Sequence, residues 1–211
     1  MKEREAILHR VRTALGRAAG EAPCPAPPPR IRIPEAAVEA RIEALFSNLG
    51  KLAGKTYLAS SAEDAKNYVA DLTQGKPAVA SNASFLIECE IASLPGVRTG
   101  FTDRDALCTE CASAQFGITS ADYALADTGT LVMLASPEEA RLVSLLPPVH
   151  IAVVPRAKIL TGLDELLSIM PRPGDVTSSM VLITGPSRTA DIEQILVRGV
   201  HGPGEIHVVV V

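Results

Sequence analysis

Aromatic residues are scarce in this sequence and tryptophan is absent: Phe, Tyr and Trp together make up 3% of the 211 residues. Apolar residues still reach 47%, so a core has to be built from Ala, Val, Ile and Leu. Small aliphatic side chains suit a parallel or mixed sheet that is covered by helices. The length is enough for one ordinary domain and an additional segment. The composition therefore predicts an α/β domain with an appendage.

The sequence also lacks an excess of basic residues, since its formal net charge is −4. Without a compensating basic face, we expect no binding to nucleic acid. No apolar stretch approaches the roughly 20 residues that a membrane-spanning helix needs. Residues 1–5 are too polar for the start of a signal peptide. We therefore expect a cytoplasmic protein that interacts with neither nucleic acid nor a membrane.

Sequence motifs for common cofactors are absent as well. The sequence contains no Walker motif, no G-x-G-x-x-G pattern and no motif for flavin or haem. Cys108 and Cys111 have a spacing found in metal and redox sites, but a four-ligand site needs a second pair at matching spacing. The other cysteines, Cys24 and Cys89, do not provide one. We therefore predict no bound metal or cofactor, and we interpret Cys108 and Cys111 as helical residues in an Ala-rich segment.

The first residues are predicted to form an appendage. Residues 2–18 have the apolar spacing of a short, otherwise charged helix. Residues 20–34 contain six prolines and predict an extended linker. The predicted division is therefore a helix with its linker at 1–34 and an α/β domain at 35–211. Two roles for the helix stay open, namely packing on its own domain and docking on a partner or a second copy.

After the linker, short apolar segments alternate with amphipathic ones. Strands are predicted near 56–59, 77–80, 97–100, 150–154, 180–184 and 206–211, and helices near 35–49, 60–72, 83–91, 103–113, 161–170 and 190–197. Residues 136–139 are also predicted to begin a helix, because Ser136, Pro137 and two acids suit a first turn. Segments 123–125 and 130–134 flank a Gly-containing turn and predict a hairpin. A hairpin among strands that alternate with helices predicts a mixed sheet.

Two motifs in the second half carry most of the functional information. The first, Ala126–Thr130, reads Ala-Asp-Thr-Gly-Thr and contains the predicted hairpin turn. The second, Gly185–Glu193, follows a predicted strand, and Gly199–Pro203 comes soon after it. A Gly-Pro pair ends the strand, and Thr189 is a suitable N-cap for the predicted helix. A strand, a tight turn and a helix start bring N–H groups, hydroxyls and Arg188 together, which is typical of an anion or small-ligand site.

Each of these residues has a structural alternative. Arg188 either holds a carboxylate or phosphate with two hydrogen bonds, or caps backbone carbonyls, or pairs with Asp191 or Glu193. The polar residues of the hairpin turn either bond only to local backbone or line the same cleft as Arg188.

The remaining candidates are a histidine and a serine in Gly-containing loops. His201 either contacts a ligand or is an unpartnered turn residue. Ser187 is interpreted as a hydrogen-bond donor, because no base is assigned to it and the Gly-x-Ser-x-Gly motif is absent. His150, at the start of a predicted strand, is interpreted as structural. No catalytic residue is assigned, and the candidate ligand-binding residues are Asp127, Thr128, Gly129, Thr130, Gly185, Ser187, Arg188, Thr189, Asp191 and His201.

The same strings resemble a known family. Ala126–Thr130, Leu146–Ile151, Gly185–Glu193 and Gly199–Pro203 are similar to the signature of the LUD-domain proteins, and within them to the lactate utilization protein C group. The resemblance covers roughly residues 55–211. It implies the single, mixed-sheet, Rossmann-like fold shared with ribose-5-phosphate isomerase, glucosamine-6-phosphate deaminase and CoA transferases. It also implies a part in converting L-lactate to pyruvate together with iron–sulfur partner proteins.

Three interpretations of the function follow. The first is an accessory subunit of an iron–sulfur lactate oxidation system that binds a small carboxylate or another anion. The alternative is an independent enzyme that acts on a phosphorylated sugar, a CoA ester or a folate-like acid, which rests on analogy of fold. A third interpretation is a scaffold protein whose pocket no longer binds a ligand. The sequence leaves open whether the chain forms a homo-oligomer.

Overall fold

The computed structural model describes residues 2–16, 18, 36–170, 177–190 and 196–211. Its first helix, α1 (Lys2–Ala14), belongs to a compact unit that ends at residue 30. This helix leaves Ile7, Val11 and Leu15 exposed. The predicted proline-rich linker, residues 20–34, lies outside the described residues.

The larger unit begins at residue 31 and alternates helices with strands. Its described helices are α2 (Val38–Lys51), α3 (Ala62–Thr73), α4 (Ser84–Glu88), α5 (Arg104–Ser113), α6 (Arg141–Leu145) and α7 (Leu163–Ile169). Its described strands are β1 (Lys55–Leu58), β2 (Ala78–Ala80), β3 (Val97–Arg98), β4 (Phe116–Ser120), β5 (Tyr123–Leu125), β6 (Thr130–Leu134), β7 (Val149–Val154), β8 (Ile159–Leu160), β9 (Met180–Ile183), β10 (Arg188–Ala190), β11 (Leu196–Arg198) and β12 (Glu205–Val210). None of the described helices is long and apolar enough to cross a membrane.

Six strands form a parallel sheet in the order β1-β12-β7-β4-β2-β3. Of its central strands, β12, β7 and β2 were predicted from apolar runs, because a parallel strand is buried on both faces and has no polar alternation, whereas β4 was not predicted. Along β7, Ile151 and Val153 face α3 and α4, whereas Ala152 and Val154 face α2 and a second sheet. The predicted α/β fold is therefore confirmed.

The second sheet has the order β8-β5-β6-β9 and contains the predicted hairpin of β5 and β6. The hairpin lies in this separate sheet and does not interrupt the parallel one. Leu131 and Met133 of β6 share a core with Leu45 and Leu49 of α2. The hairpin turn is thereby held against the C-terminal half of α2.

The sequence Ser60-x-x-Glu63 has the spacing of a capping box and predicts the start of α3. In the structure the N-cap is the next residue, Ser61, and its Oγ accepts a hydrogen bond from Asp64 N. The Asp64 carboxylate accepts from Ser60 N, the residue before the N-cap. The helix is therefore capped one position later than predicted, and Asp64 bonds to the residue before the N-cap and not to the N-cap itself.

The segment after the Gly-Pro turn forms two strands where it is described. The helix predicted over 190–197 is therefore wrong at residues 190, 196 and 197, and residues 191–195 lie outside the described part of the chain. The strands β10 and β11 pair antiparallel, with Thr189 opposite Val197. Backbone bonds between the flanking loops extend this pairing, since Ser187 N donates to Pro203 O. Thr189 is therefore a strand residue and not an N-cap, and Asp191 lies outside the described residues.

The helix predicted to begin at residues 136–139 is also wrong, because α6 begins at Arg141. Ser136 Oγ accepts from the backbone N–H groups of Glu138 and Glu139, as an N-cap would, but no helical turn follows. A tertiary contact explains why no helix begins here. The Glu139 side chain is buried, and its Oε2 accepts from Ser81 Oγ at 2.7 Å.

Candidate functional site

A cavity of about 240 Å³ lies between α6, β9 and the two loops that flank the β10–β11 hairpin. Three of the predicted residues, Gly185, Ser187 and His201, line it. The other lining residues are Ser144, Leu145, His150, Val181, Leu182, Ile183, Thr184, Pro186, Gly202, Pro203 and Ile206. A mostly apolar wall with a few polar groups is the usual composition of a small-ligand site.

His150 lines this cavity and is 1% exposed. Its Nε2 lies 2.8 Å from Thr119 Oγ1, whereas its Nδ1 is buried and has no hydrogen-bond partner among the described residues. Burial lowers the pKa of the imidazole to about 4, so the ring is neutral near pH 7. One ring nitrogen thus has the structural role predicted from the sequence, and the hydrogen-bonding capacity of the other is unused by the described residues.

The loops that carry Ser187 and His201 are joined by backbone hydrogen bonds. Ser187 N donates to Pro203 O at 2.9 Å, and Gly199 N donates to Ser187 O at 3.1 Å. Gly202 lies close to Ser187, because a Cβ built on this glycine would be 3.3 Å from Ser187 Cβ. Ser187 and the exposed His201 are therefore held on the same side of the cavity.

A chain of hydrogen bonds through Thr184 connects the hairpin turn to the cavity. Thr184 lines the cavity, and its Oγ1 lies 2.8 Å from that of the buried Thr130. Thr130 donates to Thr128 at 2.8 Å, and Thr128 donates to Asp127 Oδ1 at 3.2 Å. Asp127, Thr128 and Thr130 are not part of the cavity wall, but four oxygen-bearing side chains connect it to the protein surface.

Gly129 gives this turn the space to approach α2. Its φ is 67°, and a Cβ at this position would lie 2.8 Å from Leu49 N. Asn48 Nδ2 donates to the carbonyl oxygens of Ala126 and Asp127 at 2.9 and 3.0 Å. The backbone conformation and the contact with α2 therefore both require a glycine here.

Arg188 is not among the residues that line the cavity. Its Nη2 donates to Leu52 O, just after the last turn of α2. This is the carbonyl-capping alternative of the sequence analysis, and it is favourable because carbonyl groups at a helix C-terminus lack intrahelical partners. Gly185 lies against the same end of the helix, since a Cβ there would be 3.0 Å from Leu52 Cβ.

The cysteine pair lies on α5, away from the cavity. Cys108 is exposed and Cys111 is buried. Burial raises the pKa of the Cys111 thiol to about 11, which disfavours the thiolate that binds metals. Among the described residues, no three His, Cys, Asp or Glu side chains are grouped closely enough to hold a metal ion.

Comparison with known families identifies the fold and its signature strings. The sequence model of the LUD domain matches residues 42–211. The chain belongs to the LUD-domain family. The matched residues include the whole cavity wall, the hairpin turn and all strands of the parallel sheet.

Curated relatives of this LUD-domain protein include lactate utilization protein C of Bacillus licheniformis, which is 41% identical over 102 residues. That alignment covers 46% of this chain and 42% of the relative. Lactate utilization protein C of Bacillus subtilis is 43% identical over 94 residues, covering 43% of this chain and 39% of the relative. The chain thus matches these relatives over less than half of their length.

A solved structure has the same fold. It is a DUF162 family protein from Deinococcus radiodurans, with a TM-score of 0.65 and 17% sequence identity. The superposition covers 83% of this chain and 99% of the other. At this level of identity the similarity concerns the fold alone.

Proposed function

We propose that this LUD-domain protein takes part in lactate utilization as a subunit that binds a small carboxylate in the His150 cavity. The names of the relatives support the process, although each alignment covers less than half of the relative. The binding site is our own assignment. It rests on one observation, which is the unpartnered Nδ1 of a buried, neutral histidine in the wall of an otherwise mostly apolar cavity.

The cavity has the chemistry for a small, singly charged acid. When the Thr119 hydroxyl donates to His150 Nε2, His150 Nδ1 carries the proton and donates to a carboxylate oxygen. Ser187 and His201 supply further donors at the cavity wall. The apolar side chains of Val181 and Ile206 exclude water, which strengthens each hydrogen bond to the anion.

We further propose that the electrons of lactate leave through separate iron–sulfur proteins. Oxidation of lactate needs an electron acceptor, and the sequence contains no motif for nicotinamide, flavin or haem. The chain would then bind the acid and complete the assembly.

Ligand-induced stabilisation tests the cavity. L-lactate at about 100 times its dissociation constant adds about 2.7 kcal/mol to the stability of the folded state, which raises the melting temperature by several degrees. We expect Ser187→Ala to reduce this increase and Arg188→Ala, which changes a residue outside the cavity wall, to retain it. If Arg188→Ala abolishes the increase and Ser187→Ala retains it, the acid binds at the helix cap and not in the cavity.

The subunit role has its own test. Lactate-dependent dye reduction should be absent with the purified chain and should appear when the iron–sulfur proteins are added. The purified chain is assayed for bound flavin and metal as a control. Turnover by the chain alone would contradict the subunit role and favour an independent enzyme.

A further inference from the structure

The hydrogen-bond chain behind the cavity has a fixed direction. The Asp127 carboxylate can only accept, so Thr128 must donate its proton to Oδ1. Thr130 then donates to Thr128, since the only proton of Thr128 is already used. The proton between Thr130 and Thr184 therefore belongs to Thr184. The exposed Asp127 carboxylate thus determines that the Thr184 hydroxyl, at the cavity wall, donates to Thr130 and can only accept from a ligand.

A second hydroxyl of the cavity wall has the same restriction. Ser144 Oγ donates to Arg141 O at 3.0 Å within α6. Its proton is used there, as the proton of Thr184 is used at Thr130. Both oxygens keep free lone pairs and can only accept from a ligand. The wall therefore combines donors at Ser187 and His201 with acceptors at Thr184 and Ser144.

We propose that this chain of hydroxyls makes the cavity selective for a 2-hydroxy acid over the corresponding 2-keto acid. A 2-hydroxy acid has a carboxylate for the donors and an O–H group for Thr184 or Ser144. A 2-keto acid has only acceptors, so its keto oxygen offers no proton to the Thr184 and Ser144 oxygens. The selectivity rests on the proposed function, because it presumes that the acid binds in this cavity.

The exposure of the site determines how strongly it should prefer the 2-hydroxy acid over the 2-keto acid. Sites that bury the partner of a substrate hydroxyl reject an analogue without it by factors of about 10⁴. Thr184 is exposed, so water can replace a missing donor there at lower cost. We therefore expect L-lactate to bind about tenfold more tightly than pyruvate.

Two substitutions change the direction of the chain without touching the cavity wall. Asp127→Asn supplies an amide donor to Thr128, which allows every hydroxyl to reverse and Thr184 to donate to a keto oxygen. Thr130→Val removes the acceptor of the Thr184 proton and frees that proton for the ligand. Thr130→Ser keeps the hydroxyl and is the matched control. Asp127 is exposed, so its variant should fold even if the buried Thr130→Val variant does not.

Calorimetric titration of the wild type and the three variants with L-lactate and with pyruvate tests the proposal. We expect the preference for lactate to fall from about tenfold to about twofold in Asp127→Asn and Thr130→Val, and to persist in Thr130→Ser. Equal affinity for both acids in the wild type, or an unchanged preference in Asp127→Asn, would overturn the selectivity while leaving carboxylate binding in place. Binding of neither acid to the wild type would overturn the proposed function, and the selectivity with it.

Discussion

The amino end of the parallel sheet buries His150 and the carboxyl end buries Glu139, and these two ionisable side chains respond to pH in opposite ways. His150 lies near the amino end of β7, beside the cavity. Glu139 lies at the carboxyl ends of β2 and β4, where its Oε2 accepts from Ser81 Oγ and from Ser120 N. Each has one bonded atom and one buried atom without a partner, His150 Nδ1 and Glu139 Oε1. Both side chains are buried, but His150 is a base and Glu139 is an acid.

Burial favours the neutral form of both groups, so it shifts their pKa values in opposite directions. It lowers the pKa of His150 to about 4 and raises the pKa of Glu139 to about 8. The repulsion of Asp122 adds to the increase for Glu139, whereas the bonds from Ser81 and Ser120 oppose it. Between these two pKa values both groups are uncharged in the folded protein.

The effect of these shifts on stability can be worked out from the protons bound in each state. Between pH 4 and 6.5 the unfolded chain protonates His150 and the folded protein does not, so stability rises with pH. Between pH 4.5 and 8 the folded protein protonates Glu139 and the unfolded chain does not, so stability falls with pH. The two contributions cancel between about pH 4.5 and 6.5. Above pH 6.5 only the loss from Glu139 remains.

The largest expected effect comes from removing the charge of Glu139. Glu139→Gln keeps the shape and an acceptor for Ser81 but cannot ionise, so it should stabilise the protein at pH 8 by on the order of 3 kcal/mol. Urea unfolding at several pH values measures this difference. A decline between pH 6.5 and 8 as steep in the variant as in the wild type would show that another group causes it.

Removing His150 should have a smaller effect with a different pH dependence. His150→Gln eliminates the contribution that rises with pH, so Glu139 alone acts between pH 4.5 and 6.5. Relative to the wild type, the free energy of unfolding of the variant should then fall by up to about 1.4 kcal/mol per pH unit over this range. A constant difference between variant and wild type across this range would contradict the compensation between the two ends.

A weaker effect is expected from the hydrogen bond to Glu139. Ser81→Ala removes a donor to the carboxylate, which matters more when Glu139 is ionised than when it is neutral. We expect a loss of about 1 kcal/mol at pH 8 and less at pH 5. Unfolding of the variant at both pH values measures the difference, and an equal loss at both would point to a packing defect.

The smallest effect is expected for a change that involves neither end of the sheet. Deleting residues 1–33 should leave cooperative thermal unfolding at nearly the same temperature, because α1 belongs to a separate compact unit. Thermal unfolding followed by circular dichroism is sufficient to test this. An insoluble or non-cooperative product would show that the appendage contributes to the core.

The sequence predicts the elements whose signal is local. The buried strands β7 and β12 are short segments rich in Val and Ile, and the β5–β6 hairpin surrounds a Gly-containing turn. Of the residues that the sequence proposes for a site, Gly185, Ser187 and His201 line one cavity, whereas Ala126–Thr130 does not.

The errors arise where a distant partner determines the local structure. Ser136 to Glu139 has the residues of a helix start, but Ser81 bonds to Glu139 across 58 positions of sequence and keeps its side chain buried. Arg188 has the residue type of an anion ligand, yet its partner is Leu52 O, 136 positions away. No pattern within a short window contains such information. The free nitrogen of His150 is equally invisible, because the cavity beside it is completed by β9 and later loops.

The position of β12 has a consequence for how the protein is made. Among the described strands it comes last in sequence, yet it lies inside the parallel sheet and pairs with β1 on one side and β7 on the other. During synthesis, β1 has no neighbour in this sheet until residues 205–210 have left the ribosome. The nascent chain therefore leaves β1 unpaired in this sheet while residues 59–204 are made, and one edge of β7 unpaired while residues 155–204 are made. Unpaired backbone N–H and C=O groups on these strand edges expose the chain to aggregation and to chaperones before folding is complete.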